Sequence, residues 1–196
     1  MSTPWTVQRT IPPSDRPVTL DQVKLNLRVA SVPMPLDAEI LNAIDAATEQ
    51  WEQDTDNPAI AATFMHAAFA FPVNQSAIQL SKRPVQSITE IAYTDQDGTP
   101  MVLDQSVYAL DQGRRQVYLQ FEQVWPLVAP SNEAVRISYV AGYQSQQTVP
   151  RYVQRAIMLQ VHKWFIDPGM EFSETNSHDM AYERLVMKHL ATFHAA

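Results

Sequence analysis

The N-terminal part of the chain carries apolar residues at helical spacing. Thr19 and Gln22 form the pattern of a capping box, in which each side chain binds the other residue's backbone N–H. Apolar residues follow at intervals of three and four, which predicts a short helix over about 20–29. A second apolar stripe predicts a longer helix over about 36–54 and consists of Leu36, Ile40, Ile44, Ala47 and Trp51.

Between residues 57 and 148 the pattern changes to alternation of apolar and polar residues. The alternation is clear in the stretches 89–93, 117–121 and 135–139. It predicts five to seven short, half-buried strands that are mostly antiparallel. Asp95–Gly98 and Asp111–Gly113 have the composition of turns. In the stretch 57–71, Phe69 and Phe71 share a parity that Phe64 does not, which predicts a strand with an irregularity.

Helical spacing returns towards the C-terminus. Thr148 as N-cap and Pro150 in the first turn predict a third, mostly buried helix that ends near Ile166. A polar loop then leads to a fourth helix over about 178–194. The order of elements predicts an α+β fold, in which a small core of two N-terminal and two C-terminal helices carries an antiparallel β-sheet insertion between helices 2 and 3.

The predicted domain organisation is one domain with an N-terminal arm. Three prolines within residues 12–17 disfavour a helix, so residues 1–17 are predicted to form an extended arm. The rest of the chain, 18–196, is predicted to be a single domain. Its parts are helices 1 and 2 in 18–56, the β insertion in 57–148, and helices 3 and 4 in 149–196.

Composition excludes several classes of protein. The 196 residues include four widely separated glycines and no cysteine. Neither a dinucleotide-binding motif nor a phosphate-binding loop can be written with such glycines. Without cysteine there is no disulfide, thiolate nucleophile or cysteine-based metal site. The chain has no long apolar run that would span a membrane, and residues 1–17 lack the apolar core of a signal peptide.

Charge provides candidate contact residues rather than a nucleic-acid site. The net charge is −7 and no basic run occurs, so a grip on phosphate backbones is not expected. Asp45, Glu49 and Glu52 share a face of helix 2, which is either a solvated surface or a contact for a basic partner. Arg151 and Arg155 form a basic pair one turn apart on helix 3. Of the four tryptophans, Trp5 and Trp125 are predicted to be contact residues.

Sequence motifs give no catalytic, cofactor or metal site. The nucleophile motif G-x-S-x-G is absent, and the histidines are not spaced as helical metal ligands. Asp95, Asp97 and the nearby Asp104 do not match an EF-hand, so a hairpin turn is predicted there. An alternative from the class of enzymes is a small metal-dependent hydrolase. Its candidate residues would be His178, Asp179, Glu183 and His189.

Several segments resemble, in the same order, the head–tail connector (adaptor) proteins of long-tailed bacteriophages and of gene transfer agents. The resemblance covers about residues 17–166. The segments are PVTLDQVK (17–24), LRV (27–29), LDAEI (36–40), KRPVQSI (82–88), IAYTDQDG (91–98), VRISY (135–139), AGY (141–143) and VP (149–150).

The resemblance implies a structural, non-enzymatic role in the virion neck, with assembly in the host cytoplasm. Members of this family form a ring, commonly dodecameric, beneath the portal protein, and the ring extends the DNA channel and receives the tail. The implied partners are other copies of the chain, the portal, a stopper or tail-completion protein, and double-stranded DNA that passes without specific binding; no membrane is involved. Another neck or tail component, a stopper or tail-terminator, is the alternative within the same class.

The implied ring needs contacts between unlike faces of adjacent copies. The acidic residues of helix 2 and the pair Arg151 and Arg155 are the candidates for such a contact. The N-terminal arm is expected to reach a neighbouring copy.

Overall fold

The computed structural model describes residues 5–30, 32–33, 35–129, 131–166 and 177–194. The chain divides into two compact units, each built from two separate stretches of sequence. A β unit contains the N-terminal residues up to Ser14 together with Ala61–Gly142. A helical unit contains Asp15–Ile60 and the chain from Tyr143 onwards.

The helical unit contains, within the described residues, the predicted helices. They are α1 (Leu20–Leu27), α2 (Asp37–Thr55), α3 (Arg151–Ile166) and α4 (Ser177–His194). The capping box of Thr19 and Gln22 is present at the start of α1. α1 ends earlier than expected because Arg28 adopts a left-handed conformation with φ 59° and its N–H binds Leu25. Pro150 directly precedes α3, while Thr148 ends a preceding 3-10 turn.

The core of the helical unit lies around α3, which packs against α1, α2 and α4. The apolar stripe predicted for α2 is buried, with Leu36 only partly so. The buried face of α3 consists of Val153, Ala156, Ile157 and Val161. Side chains three and four positions apart thus bury one continuous face of each helix, which is the main stabilising contribution to this unit.

The β unit contains two antiparallel sheets instead of the single sheet expected. Its strands are β1 (Trp5–Ile11), β2 (Ala62–Ala68), β3 (Ile78–Gln79), β4 (Val85–Thr94), β5 (Pro100–Val102), β6 (Tyr108–Asp111), β7 (Gln116–Leu119) and β8 (Val135–Ala141). The larger sheet has the order β1-β2-β8-β4-β5, and the smaller one has the order β3-β7-β6.

Alternation holds along β8 and fails at two other predicted positions. Val135, Ile137 and Tyr139 are fully buried, as the pattern predicts. In β4 the register shifts between Ile88 and Glu90, so Thr89, expected on the inner face, is exposed. Phe121 was expected to continue β7, but this strand ends at Leu119 and the Phe121 side chain is 87% exposed.

The first part of the β insertion, residues 57–71, also differs from a simple strand. β2 places Phe64 on the buried face, and the chain bends after Ala68. Phe69 is therefore exposed, whereas Phe71 returns to the core beyond the end of the strand. This bend explains why no constant parity runs through the sequence from 57 to 71.

The N-terminal arm is extended over Trp5–Ile11, and the structure pairs it with β2 as an antiparallel strand. A proline-containing stretch, 12–17, follows this strand and leads to α1. The predicted Asp95–Gly98 turn joins β4 and β5. Asp95 accepts hydrogen bonds from the backbone N–H groups of Asp97 and Thr99 at 2.9 and 2.8 Å. Gly98 provides the positive φ of 82° that the turn requires.

We predict that Ile157→Ala lowers the free energy of unfolding by about 2–5 kcal/mol, because it leaves a cavity in the buried face of α3. The matched control is Arg151→Ala on the exposed face of the same helix, with an expected change within about 0.5 kcal/mol. Chemical denaturation of the two variants measures both values. Equal destabilisation would contradict the assignment of these faces.

Candidate interaction surfaces

Two of the four residues proposed for a metal-dependent enzyme, Asp179 and His189, have structural contacts. Asp179 accepts a hydrogen bond from Lys163 Nζ at 2.6 Å, which ties α4 to α3. His189 is buried, with Nδ1 at 3.0 Å from the Tyr152 hydroxyl. Glu183 is exposed, and the side chain of His178 lies outside the described residues. Among the residues that the structure describes, no group of three or more acidic or histidine side chains could hold a metal ion.

Buried polar contacts in the helical unit connect its helices to one another. Tyr182 donates a hydrogen bond to Asp54 Oδ2 at 2.7 Å, joining α4 to α2. Burial raises the pKa of the Tyr182 hydroxyl, and the neighbouring Asp54 raises it further. His189 also lies against the Trp51 ring, with centroids 5.1 Å apart. The Tyr182 hydroxyl therefore keeps its proton at neutral pH, and these contacts fix the positions of the helices.

Two of the three acidic residues on α2 that were predicted as contacts already bind other groups within the chain. Arg16 donates two hydrogen bonds to the Asp45 carboxylate, at 2.6 and 2.7 Å. This bidentate hydrogen bonding raises the pKa of Arg16. Glu52 accepts a hydrogen bond from the backbone N–H of Ala59 at 2.9 Å. Glu49 is exposed, and of the three its carboxylate is therefore the best placed to meet a partner.

Arg151 and Arg155 are both exposed on α3, one helical turn apart, as predicted. Arg155 also borders a small surface cavity of about 190 Å³ in the helical unit. The other lining residues are Asn26, Met158, Leu159 and His162. A basic side chain at the rim of a concave surface can contact an acidic group of another chain.

The two tryptophans predicted as contact residues lie in different environments. Trp125 is 4% exposed and stacks on Phe71, with ring centroids 5.0 Å apart and planes 6° from parallel. Its indole N–H donates to the Ser76 carbonyl at 3.1 Å. The structure thus places Trp125 in the core of the β unit instead of on a surface. Trp5 is half-buried, with its ring 4.6 Å from that of His66.

An exposed apolar segment that the sequence analysis missed lies between β7 and β8. Phe121, Val124 and Leu127 are all largely exposed. The segment is held in place because the buried Trp125 lies within it and Val128 pairs with Asp95. Several large apolar side chains exposed on an anchored segment are typical of a contact surface. These three residues are three positions apart in the sequence. Because the segment is neither helix nor strand, that spacing did not predict a shared exposed face.

A groove in the β unit is a second concave feature. It has a volume of about 570 Å³ and lies between the edges of β4 and β6. Its polar lining is mostly uncharged, with Gln86, Ser87, Gln105 and Gln112, and Asp111 is its one carboxylate. The Gln112 side-chain amide donates to the Gln86 carbonyl at 2.5 Å, bridging the two strands. Such a lining offers mainly uncharged hydrogen-bonding groups.

Comparison with known proteins gives a match at the level of structure. No family model matches the sequence, and no curated protein matches it either. The fold is similar to a chain of the neck of an empty gene transfer agent particle computed with C6 symmetry, with TM-score 0.71 and 17% identity over 92% of this chain and 94% of that one. It is also similar to a chain of a native gene transfer agent virion, with TM-score 0.74 and 18% identity over 93% of each chain. A third similar chain comes from the neck of a native particle computed with C12 symmetry, with TM-score 0.67 and 18% identity over 93% of each chain.

These likenesses span more than nine-tenths of each chain, so they concern the whole arrangement of elements. The chain therefore has the fold of chains found in the neck and virion of gene transfer agent particles. No helix among the described residues is long and apolar enough to cross a membrane.

The buried His66 gives a testable pH dependence. It lies in β2, and neither ring nitrogen has a hydrogen-bond partner among the described residues. Burial lowers the pKa of His66 from 6.5 to about 4. Between these values the unfolded chain binds a proton that the folded chain does not, so stability falls as the pH decreases from 6.5 towards 4.

Protonation of His66 in the unfolded chain should lower the free energy of unfolding by about 2 kcal/mol between pH 7 and pH 5. We predict that the His66→Gln variant does not show this decrease. The measurement is the denaturant midpoint of both proteins across this range. The carboxylates titrate in both proteins, so the difference between the two curves isolates His66. Parallel curves would contradict a neutral, buried His66.

Proposed function

We propose that this chain is a head–tail adaptor of a phage-like particle, a structural protein of the virion neck. The observation that carries the proposal is the likeness over more than nine-tenths of the chain to chains of gene transfer agent necks. The segments within residues 17–166 that resemble connector proteins support the proposal independently, because the structural comparison does not use sequence motifs. The proposed role needs neither a cofactor nor a catalytic residue.

We also propose that copies of this chain form a closed ring, a dodecamer in the particle. The similar neck structures were computed with C6 and C12 symmetry, and twelve copies are compatible with both. A closed ring needs a heterologous interface, in which one face of each copy meets a different face of the next. Glu49 on α2 and the pair Arg151 and Arg155 on α3 are the candidate contacts, since they are exposed and of opposite charge.

The ring would sit between the portal and a stopper or tail-completion protein and extend the DNA channel. The net charge of −7 favours a channel that does not retain DNA, since like charges repel and no dense phosphate-binding surface is needed. The exposed apolar segment with Phe121 and Leu127 is a candidate surface for one of these neighbouring proteins. The stopper and tail-terminator alternatives are less favoured, because those proteins are mainly β whereas half of this structure is a helical unit.

Removal of the gene tests the proposed role. We expect particles without this protein to fill with DNA and then to remain tailless or to lose their DNA, because the neck is incomplete. Electron microscopy and nuclease protection of the packaged DNA measure the two effects, and a plasmid copy of the gene should restore both. Normally tailed, nuclease-resistant particles in its absence would contradict the proposal.

Charge reversal tests the proposed contact. We expect Arg151→Glu and Arg155→Glu each to reduce ring assembly, because repulsion would replace attraction across the interface. Each exposed ion pair contributes only about 0–1 kcal/mol and is screened by salt. The effect of a single reversal on assembly should therefore be larger at low salt concentration. Arg184→Glu, at an exposed site on α4, is the matched control. Analytical ultracentrifugation measures assembly, and equal behaviour of all three variants would refute the contact.

A further inference from the structure

We infer that the turn formed by residues 120–123 inserts Phe121 into a groove on α3 of an adjacent copy, where Glu122 meets Arg155. This inference rests on the proposed ring, because it names two unlike surfaces through which neighbouring copies would meet. We call the first surface the Phe121 turn. The second surface, the α3 groove, is the cavity lined by Asn26, Arg155, Met158, Leu159 and His162.

The Phe121 turn is held firmly within the β unit. The N–H of Gln123 donates to the Gln120 carbonyl at 3.1 Å, which closes the turn. The N–H of Gln120 in turn donates to the Val107 carbonyl at 2.9 Å. Two residues beyond the turn, Trp125 is buried in the core. The backbone is therefore fixed on both sides of Phe121, so burial of its ring in a partner would lose little conformational entropy.

This turn displays an apolar ring and a carboxylate on consecutive residues. Phe121 is 87% exposed in the single chain, so only another molecule can bury its side chain. Glu122 is also exposed and adopts a left-handed conformation with φ 63°, which is uncommon for a glutamate. Within the described part of the chain, its carboxylate has no ion-pair partner. Strained backbone positions of this kind occur often at binding sites.

The α3 groove has the properties that such an occupant needs. Its volume is about 190 Å³, and a cavity of roughly 150 Å³ can hold a benzene molecule, so there is room for a phenyl ring. Met158 and Leu159 are half-buried and give an apolar wall, and the flexible methionine can adapt to an inserted ring. Arg155 is exposed at the rim and can bind a carboxylate there.

Charge favours a second copy of this chain as the occupant. The stretch 120–129 carries Glu122 as its one charged residue, and the lining of the α3 groove contains no acidic residue. The turn belongs to the β unit and the groove to the helical unit, so they are the unlike surfaces that a closed ring needs. Burial of the aromatic ring would supply most of the affinity, and the ion pair with Arg155 would fix the register. Arg151 remains a candidate contact for Glu49.

Disulfide formation between two different chains tests the contact, because the chain has no cysteine of its own. A Glu122→Cys chain and an Arg155→Cys chain are produced together in a strain without the native gene, and the purified particles are oxidised. We expect a covalent dimer on non-reducing denaturing gels, and no dimer when either chain is produced alone. In the matched control, Ile11→Cys, at an exposed apolar position on β1, replaces Glu122→Cys and should give no dimer.

Replacement of the aromatic ring measures its contribution. When produced together with the unmodified chain, Phe121→Ser should be under-represented in particles by about tenfold or more, because the variant cannot bury the ring. Ile11→Ser is the matched control and should be incorporated to within about twofold of the unmodified chain. Both variants should unfold at the same temperature as the unmodified chain, since both side chains are exposed.

The two experiments separate failure of the contact from failure of the proposed function. Particles that contain the chain in the neck but give no covalent dimer would overturn the contact and leave the proposed function standing. A lower incorporation of Phe121→Ser without the dimer would assign the Phe121 turn to another neck protein. Equal incorporation of the two serine variants would also overturn the contact. If the unmodified chain forms no ring in particles, the proposed ring and the contact both fail.

Discussion

Burial of one apolar face of α3 is the constraint on which the helical unit depends. The faces of α1, α2 and α4 that carry apolar residues pack against this helix. α1 and α2 come from residues before the β insertion, whereas α3 and α4 come after it. The helices before and after the insertion share one core, so each pair buries its apolar face against the other.

The β unit has the same kind of constraint around β8. This strand lies between β2 and β4 and buries every second residue, from Val135 to Ala141. β1, from the N-terminus, completes the sheet at one side. Each unit is thus held by its own core and by a segment distant in sequence. In the β unit, the segment with Phe121 and the groove between β4 and β6 lie at the surface, where contacts with other proteins can form.

The charged residues show why interface prediction from sequence is less reliable than fold prediction. Asp45 and Glu52 lie on the face that periodicity predicts, but one binds Arg16 and the other binds the Ala59 backbone. Trp125 looks like an accessible aromatic residue in an irregular stretch, yet it stacks on Phe71 in the core. A helical wheel records the direction of a side chain along its own helix. It does not record which groups of distant segments meet that side chain.

Local patterns in the sequence determined the helices, the main strands, the capping box and the turn at Asp95–Gly98, because each depends on residues a few positions apart. They also indicated the α+β class through the order of the elements. Only the tertiary structure decided that there are two sheets, that β4 shifts register beside Thr89, and that the N-terminal segment joins β2. The physical reason is that these strand pairings are set by partners about 40 residues or more away, and sequence periodicity carries no information about those partners.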